Sequence, residues 1–212
     1  VGVFPQCIDT ENIEEIQEFG LGYYEKIDKN FTLPKPHIRN SAKLSNLLSV
    51  TAIDSSVFKV FDDSILGFLK DFNINHYQTW KLEVEYKGII IDKYNLFHLC
   101  FPTWNIIDFS KSIFKIKDIN SNMLNKKTYQ NAIEYQTDWK KLIWKGSVIS
   151  FDTLYLNFSL MDLDLIRIIG IDSFGIGYYV SEKLKIAVEK EQFTGFAFQE
   201  IEEMDRRITA IY

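Results

Sequence analysis

Residues 170–201 read GIDSFGIGYYVSEKLKIAVEKEQFTGFAFQEI, and their glycines admit two readings. If the glycines led directly into the helix-like run, its first amides could cradle a phosphate. Instead, Gly175 and Gly177 are followed by Tyr178, Tyr179 and Val180, which read as a strand, and no Gly-Lys-Ser/Thr follows. The glycines therefore read as a loop between two strands. Ser181 is then the natural N-cap of a helix that presents Leu184, Ala187 and Val188 on one face. Thr194-Gly195 supplies its stop, and Phe196 and Phe198 alternate into a further strand.

The same order of elements is legible upstream. Val57, Phe58 and Val60 make a short strand, and Asp62 caps a helix with Ile65, Phe68, Leu69 and Phe72 at helical spacing. Residues 73–75 end it, and Trp80, Leu82, Val84 and Tyr86 alternate as a strand. Laid over one another without a gap, Phe61 falls on Val180, Ile65 on Leu184, Leu69 on Val188, Tyr77 on Phe196 and Leu82 on Ile201. Identity is negligible, so either a duplication or two independent amphipathic units accounts for the match. The expectation is an α+β fold of mixed or antiparallel sheets, with a strand-helix-strand unit recurring at about 58–86 and 178–202.

Elsewhere, Lys87-Gly88 makes a turn between the strand ending at Tyr86 and apolar segments at 89–91 and 94–101. A helix is expected near 128–139, with strands at 147–151, 154–158 and 165–171. Ile13 and Ile16 suit a short helix, and Leu33-Pro34-Lys35-Pro36 cannot be helix interior. Residues 1–50 thus read as an extended wrapping segment, and 51–212 as a single α+β domain or two related lobes.

The 212 residues, 46% of them apolar and 25% charged, suffice for a proper core and exclude disorder as the main state. Cys7 and Cys100 form no CxxC pair, which indicates neither a zinc site nor a disulfide scaffold. No apolar run approaches the roughly 18 residues of a membrane span. The sequence starts at Val1 rather than Met, which leaves a removed signal peptide open. A cytoplasmic location is expected.

The net charge of −5 is unevenly spread. Asp9, Glu11, Glu14, Glu15, Glu18, Glu25 and Asp28 oppose Lys26 at one end; Glu189, Glu191, Glu200, Glu202, Glu203 and Asp205 crowd the other. Residues 111–145 are lysine-rich. A pI of about 5.3 has the wrong sign for nucleic acid, whereas acidic patches suit a basic partner.

Chemistry-bearing motifs are sparse. His37, His76 and His98 lack the short spacings of zinc ligands, and there is no G-x-S-x-G elbow. Asp162 and Asp164 in LMDLDLIR fall on one face of an extended segment and would suit a metal-dependent hydrolase, although no third ligand is visible. A small-molecule-binding module is a further alternative. No cofactor is expected.

One resemblance adds to this. YYVSEKLKIAVEKEQFTGFAFQEI resembles the closing motif of the bacterial type 11 immunity proteins, formerly a domain of unknown function, through Val180, Ser181, Glu182, Leu184, Lys185, Thr194, Gly195 and Phe196. YNLFHLCFPTWNIIDFSKSIF is similar to the family's middle signature at Tyr94, Leu96, Ile107, Asp108 and Ser112, and LIRI to its Phe-Arg strand at Arg167. The likeness spans residues 57–202, with Phe61-Asp62-Asp63 departing from the Val-Ser-Glu pattern.

The resemblance implies a non-enzymatic inhibitor that binds a cognate antibacterial toxin by occlusion. The motif residues Asp108, Ser112, Arg167, Ser181, Glu182 and Gly195 read as fold determinants. Candidates for contact with a basic toxin are Glu200, Glu202, Glu203 and Asp205, with Trp139 and Trp144 as aromatic anchors.

Overall fold

The computed structural model describes residues 6–19, 25–54, 57–101, 103–118, 120, 122–168, 178–204 and 206–212. In chain order they form β1 (Cys7–Glu11), α1 (Glu14–Gln17), β2 (Lys35–Ile38), β3 (Leu47–Leu48), α2 (Thr51–Asp54), β4 (Phe58–Asp62), α3 (Asp63–Leu69), β5 (Tyr77–Tyr86) and β6 (Ile89–Leu99). There follow β7 (Ile113–Lys117), β8 (Met123–Lys127), α4 (Ala132–Trp144), β9 (Val148–Asn157), a 3-10 turn (Phe158–Leu160), β10 (Leu165–Arg167), β11 (Tyr178–Val180), α5 (Glu182–Lys190), α6 (Ile201–Met204) and β12 (Ile208–Ile211). The fold is α+β with mixed and antiparallel sheets, as expected. It divides into two compact units: Val1–Phe101 with Leu163–Arg167 and Tyr178–Ala197, and Pro102–Asp162 with Ile168–Gly177 and Phe198–Tyr212.

The first unit is built on a six-stranded sheet in the order β1-β2-β5-β6-β4-β3, beside the two-stranded β10-β11 ribbon. Central β6 is buried from Tyr94 to the end of the strand on both faces, which is why that part reads as mainly apolar, with Asn95 and His98 its buried polar members. Phe97 packs against Phe61 and Tyr77, while His98 packs against Phe58. The β5-β6 hairpin turns at Lys87 and Gly88, both at positive φ (54° and 76°), the backbone of a two-residue type I′ connection.

Residues 1–50, read as a wrapping segment, supply β1, β2 and β3 to this same sheet and bury Cys7, Ile16, Phe19, Ile27, Ile38 and Leu48. Their apolar positions lie too far apart in sequence to show a strand period, so membership of the sheet was not legible.

Both expected helix starts are present. The Asp62 carboxylate accepts from Ile65 N at 3.2 Å, and Ser181 Oγ accepts from Leu184 N at 3.1 Å. The end of α5 differs from expectation. Phe193 N donates to Val188 O (3.2 Å) and Gln192 N to Glu189 O (3.0 Å), with Gln192 at φ 57°, so the helix closes in a Schellman motif before Thr194. Gly195 serves a close approach of two backbones instead. Its φ is +94°, and a Cβ there would lie 2.1 Å from the Leu47 carbonyl oxygen.

The strand expected at Phe196 and Phe198 does not form, and residues 194–200 carry no regular structure. Thr194 is held by the Asn46 side chain, at 2.8 Å to its N–H and 2.9 Å to its hydroxyl, while its carbonyl accepts from Leu47 N. Phe193 and Phe196 pack on Phe68 and Phe61. The recurring unit is therefore strand-helix in both places, and only the first copy continues into a strand. The glycine loop before β11 lies outside the described residues.

The second unit carries a four-stranded sheet in the order β12-β9-β7-β8, with β12 parallel to β9 and the other pairs antiparallel. The two strands expected at 147–151 and 154–158 are one strand, β9. Asp152 is its bulge, since Phe151 opposes Phe114 and Thr153 opposes Ile113. From there its carboxylate bridges Lys115 and Lys126, which face one another across β7 and β8.

Helix α4 lies later than expected because its ends are set by Asn131, whose Oδ1 accepts from Glu134 N at 3.0 Å, and by Gly146 at φ 72°. Trp104, Phe109, Phe114, Tyr129 and Tyr135 form this unit's aromatic core. Among the described residues no helix is long and apolar enough to cross a membrane.

Candidate functional site

In the second unit, chemistry gathers around edge strand β12. In a parallel ladder alternate residues bond one neighbour. Arg207 O accepts from Leu154 N, whereas Ala210 N turns away from β9 and donates to Glu202 Oε1 at 3.3 Å. Glu202 Oε2 accepts from Tyr212 Oη at 3.1 Å. The short helix α6 thus lends a carboxylate to cover an open sheet edge, one way of blocking unwanted strand pairing.

Beside it, Asn157 caps the 3-10 turn by accepting from Ser159 N at 3.1 Å, and this places Phe158 parallel to Tyr212. The rings lie 5.6 Å apart at 13°. Tyr212 is 72% exposed and Leu160 58%, with Ile211 also exposed. The phenol is pushed up to about 12, first by desolvation of its hydroxyl, then by the bond to Glu202 and the charges of Glu202 and Glu200. The outcome is an apolar, aromatic face with carboxylates at its margin.

Of the expected toxin contacts, Glu200, Glu202 and Glu203 come together here. Glu200 and Glu203 are exposed, whereas Glu202 is half-buried and spent on Ala210 and Tyr212. Trp139 is a half-buried residue of α4, a separate element. Asp205 and the side chain of Trp144 lie outside the described residues. Phe158, Leu160 and Tyr212 were not singled out from sequence; the only signal was an apolar run, ITAIY, following two arginines.

The motif residues hold local structure. Asp108 O accepts from Ser112 N (3.0 Å) and Oγ (2.7 Å), Asp108 N donates to Tyr155 O (3.0 Å), and Ser112 Oγ accepts from Tyr155 N (3.0 Å). The segment before β7 is thereby pinned to β9. The Asp108 carboxyl lies below its ordinary range because of Lys111 and Ser110. Glu182 is exposed and pairs with Lys185 at 3.2 Å.

In the first unit Arg167 is 2% exposed and donates to Leu99 O at 3.0 Å. Tyr178 Oη accepts from Leu99 N at 3.4 Å and donates to Val57 O at 2.7 Å. Burial pushes the Cys100 thiol up and lowers His98 to about 4, against the opposing bond from Nε2 to Glu25 O at 2.9 Å.

Of the expected Asp162 and Asp164 pair, Asp164 is committed to local structure. Asp164 Oδ1 accepts from Ser181 Oγ at 2.7 Å, and Oδ2 accepts from Asn73 N at 2.9 Å and Lys183 Nζ at 3.1 Å. Burial acts upward on its pKa, yet these bonds together hold it below the ordinary carboxylate range. Asp162 is exposed and belongs to the other unit. Among the described residues no group of three or more His, Cys, Asp or Glu is placed to hold a metal. A scan against protein-family models finds no match to this chain, and a search of curated proteins finds no relative.

Proposed function

We propose that this chain is a non-enzymatic immunity protein, acting in the cytoplasm, that binds and neutralises a basic antibacterial toxin by covering it. The observation that carries the reading is the face of half-buried Phe158 and exposed Leu160, Ile211 and Tyr212, with Glu200 and Glu203 nearby. Contiguous exposed aromatic and apolar side chains with a charged margin are the anatomy of a protein interface. Negative charge at the margin speeds encounter with a cationic partner. The resemblance of residues 57–202 to type 11 immunity proteins supports the same reading independently of this surface.

The test is a pull-down from the native cell with the full chain as bait, followed by co-expression. Support is recovery of one chain that kills cells when expressed alone and fails to kill when this protein accompanies it. Absence of a stable partner, while the neighbouring toxin candidates are expressed, would sink the reading.

A further inference from the structure

We infer that the Phe158 and Tyr212 stack is the seat of an arginine side chain carried by a basic partner protein. This deepens the inhibitor reading and rests on it for the nature of the partner.

Three observations lead there. With the rings 5.6 Å apart at 13° and Tyr212 72% exposed, Phe158 stacks beside the tyrosine ring and leaves most of the residue's surface open to solvent. The ring is held in place at its far end, because Tyr212 Oη donates to Glu202 at 3.1 Å and Glu202 is itself fixed on the Ala210 amide. Finally, the charge at this ring is negative: Glu200 and Glu202 both raise the phenol pKa, and exposed Glu203 follows them in α6.

A guanidinium fits these features together. It is planar, stacks on an aromatic face and pairs with a carboxylate through two parallel N–H donors, whereas an ammonium is a compact, strongly hydrated point charge. The apolar neighbours Leu160 and Ile211 give the methylene stem of an arginine a surface to lie on. Arg207, which leads into β12, does not serve as the occupant, since it donates to Phe151 O at 3.2 Å and lies 4.5 Å over the Phe151 ring.

The full chain, with Tyr212 observed through its aromatic NMR signals, is titrated with hexa-arginine and with hexalysine at equal ionic strength. Saturable shifts centred on 158–160 and 200–212 are expected, with hexa-arginine favoured roughly threefold to tenfold, the range of an exposed to partly desolvated cation–π contact. Tyr212→Leu abolishes that preference, and Tyr212→Phe, which keeps the ring but loses the bond to Glu202, retains it in reduced measure. Equal affinities unmoved by Tyr212→Leu, or shifts centred on the acidic residues 9–28, overturn the seat. A toxin captured by the chain with an affinity indifferent to Tyr212→Leu also overturns it while leaving the inhibitor reading standing. Arginine-selective binding here without protection of cells does the reverse.

Discussion

Asp164 and Ser181 share a hydrogen bond of 2.7 Å from the serine hydroxyl to Asp164 Oδ1, while the backbone of Ser181 donates to Asp164 O at 2.9 Å. The hydroxyl oxygen that donates to Asp164 also accepts from Leu184 N, so one serine joins the β10-β11 ribbon to the start of α5. The second carboxylate oxygen, occupied by Asn73 N and Lys183, extends the junction to the chain after α3.

Asp164 is 6% exposed, and its truncation removes the part-buried hydrogen bonds from Ser181 Oγ, Asn73 N and Lys183 Nζ. Asp164→Ala is expected to lower unfolding stability by about 2 to 3 kcal/mol and Ser181→Ala by about 1 kcal/mol. The double variant should fall short of their sum, because the two residues share a bond. Urea denaturation of the four proteins measures this, and strict additivity would show that the junction is not a unit.

Gly195 gives a second effect on stability. Its φ of +94° disfavours any side chain, and a Cβ would meet the Leu47 carbonyl oxygen at 2.1 Å. Relief requires β3 or residues 194–196 to move, which disturbs Thr194 on Asn46. Gly195→Ala should cost about 2 kcal/mol or more, whereas Gly88→Ala, where φ is positive but the space is open, should cost less. Comparable losses at both positions would sink the steric account.

Gly195 also shows what the sequence could and could not convey. A Thr-Gly after an amphipathic helix looks like a helix stop, yet the stop is Gln192, and the glycine answers to Leu47, distant in the chain. The expected strands 147–151 and 154–158 parted at Asp152-Thr153 because a bulge interrupts an apolar run as a strand end does. Local signals with local causes were legible: the caps at Asp62 and Ser181, the Lys87-Gly88 hairpin, the alternation of β5. The acidic half of the candidate surface was legible as charge. Its aromatic half was not, because the stack of Phe158 on Tyr212 is a consequence of β12 pairing in parallel with β9.

His98 sets a pH dependence. It is fully buried, with a folded pKa of about 4 against an ordinary value of 6.5, chiefly through desolvation. Because a carbonyl only accepts, Nε2 carries the proton donated to Glu25 O. Between pH 6.5 and 4 the unfolded chain binds a proton that the folded chain refuses, so stability falls as pH falls through this window. It is fully present above pH 6.5, and about 3 kcal/mol is lost by pH 4. Denaturation midpoints across pH 4 to 7 should show this slope, and His98→Gln should flatten it. An imidazole NMR signal titrating near 6.5 would contradict the buried, neutral assignment.

Tyr212 reports the state of the candidate surface directly. Its pKa of about 12 arises first from desolvation and then from Glu202, which accepts the phenol proton in a hydrogen bond and repels the phenolate, with Glu200 adding repulsion. Removing the charge in Glu202→Gln eases ionisation, so the pKa should drop toward the ordinary value near 10, with the desolvation part retained. The same substitution weakens the cover on Ala210 N, because a neutral amide oxygen is a poorer acceptor than a carboxylate. Amide exchange at Ala210 should therefore quicken alongside the shift in phenol absorbance on alkaline titration. Both changes together mark Glu202 as the group that holds ring and strand edge in one arrangement. A phenol that titrates near 10 in the unsubstituted chain would mean that Tyr212 is not held by Glu202, and the stack would lose the fixed geometry on which its role as a binding face depends.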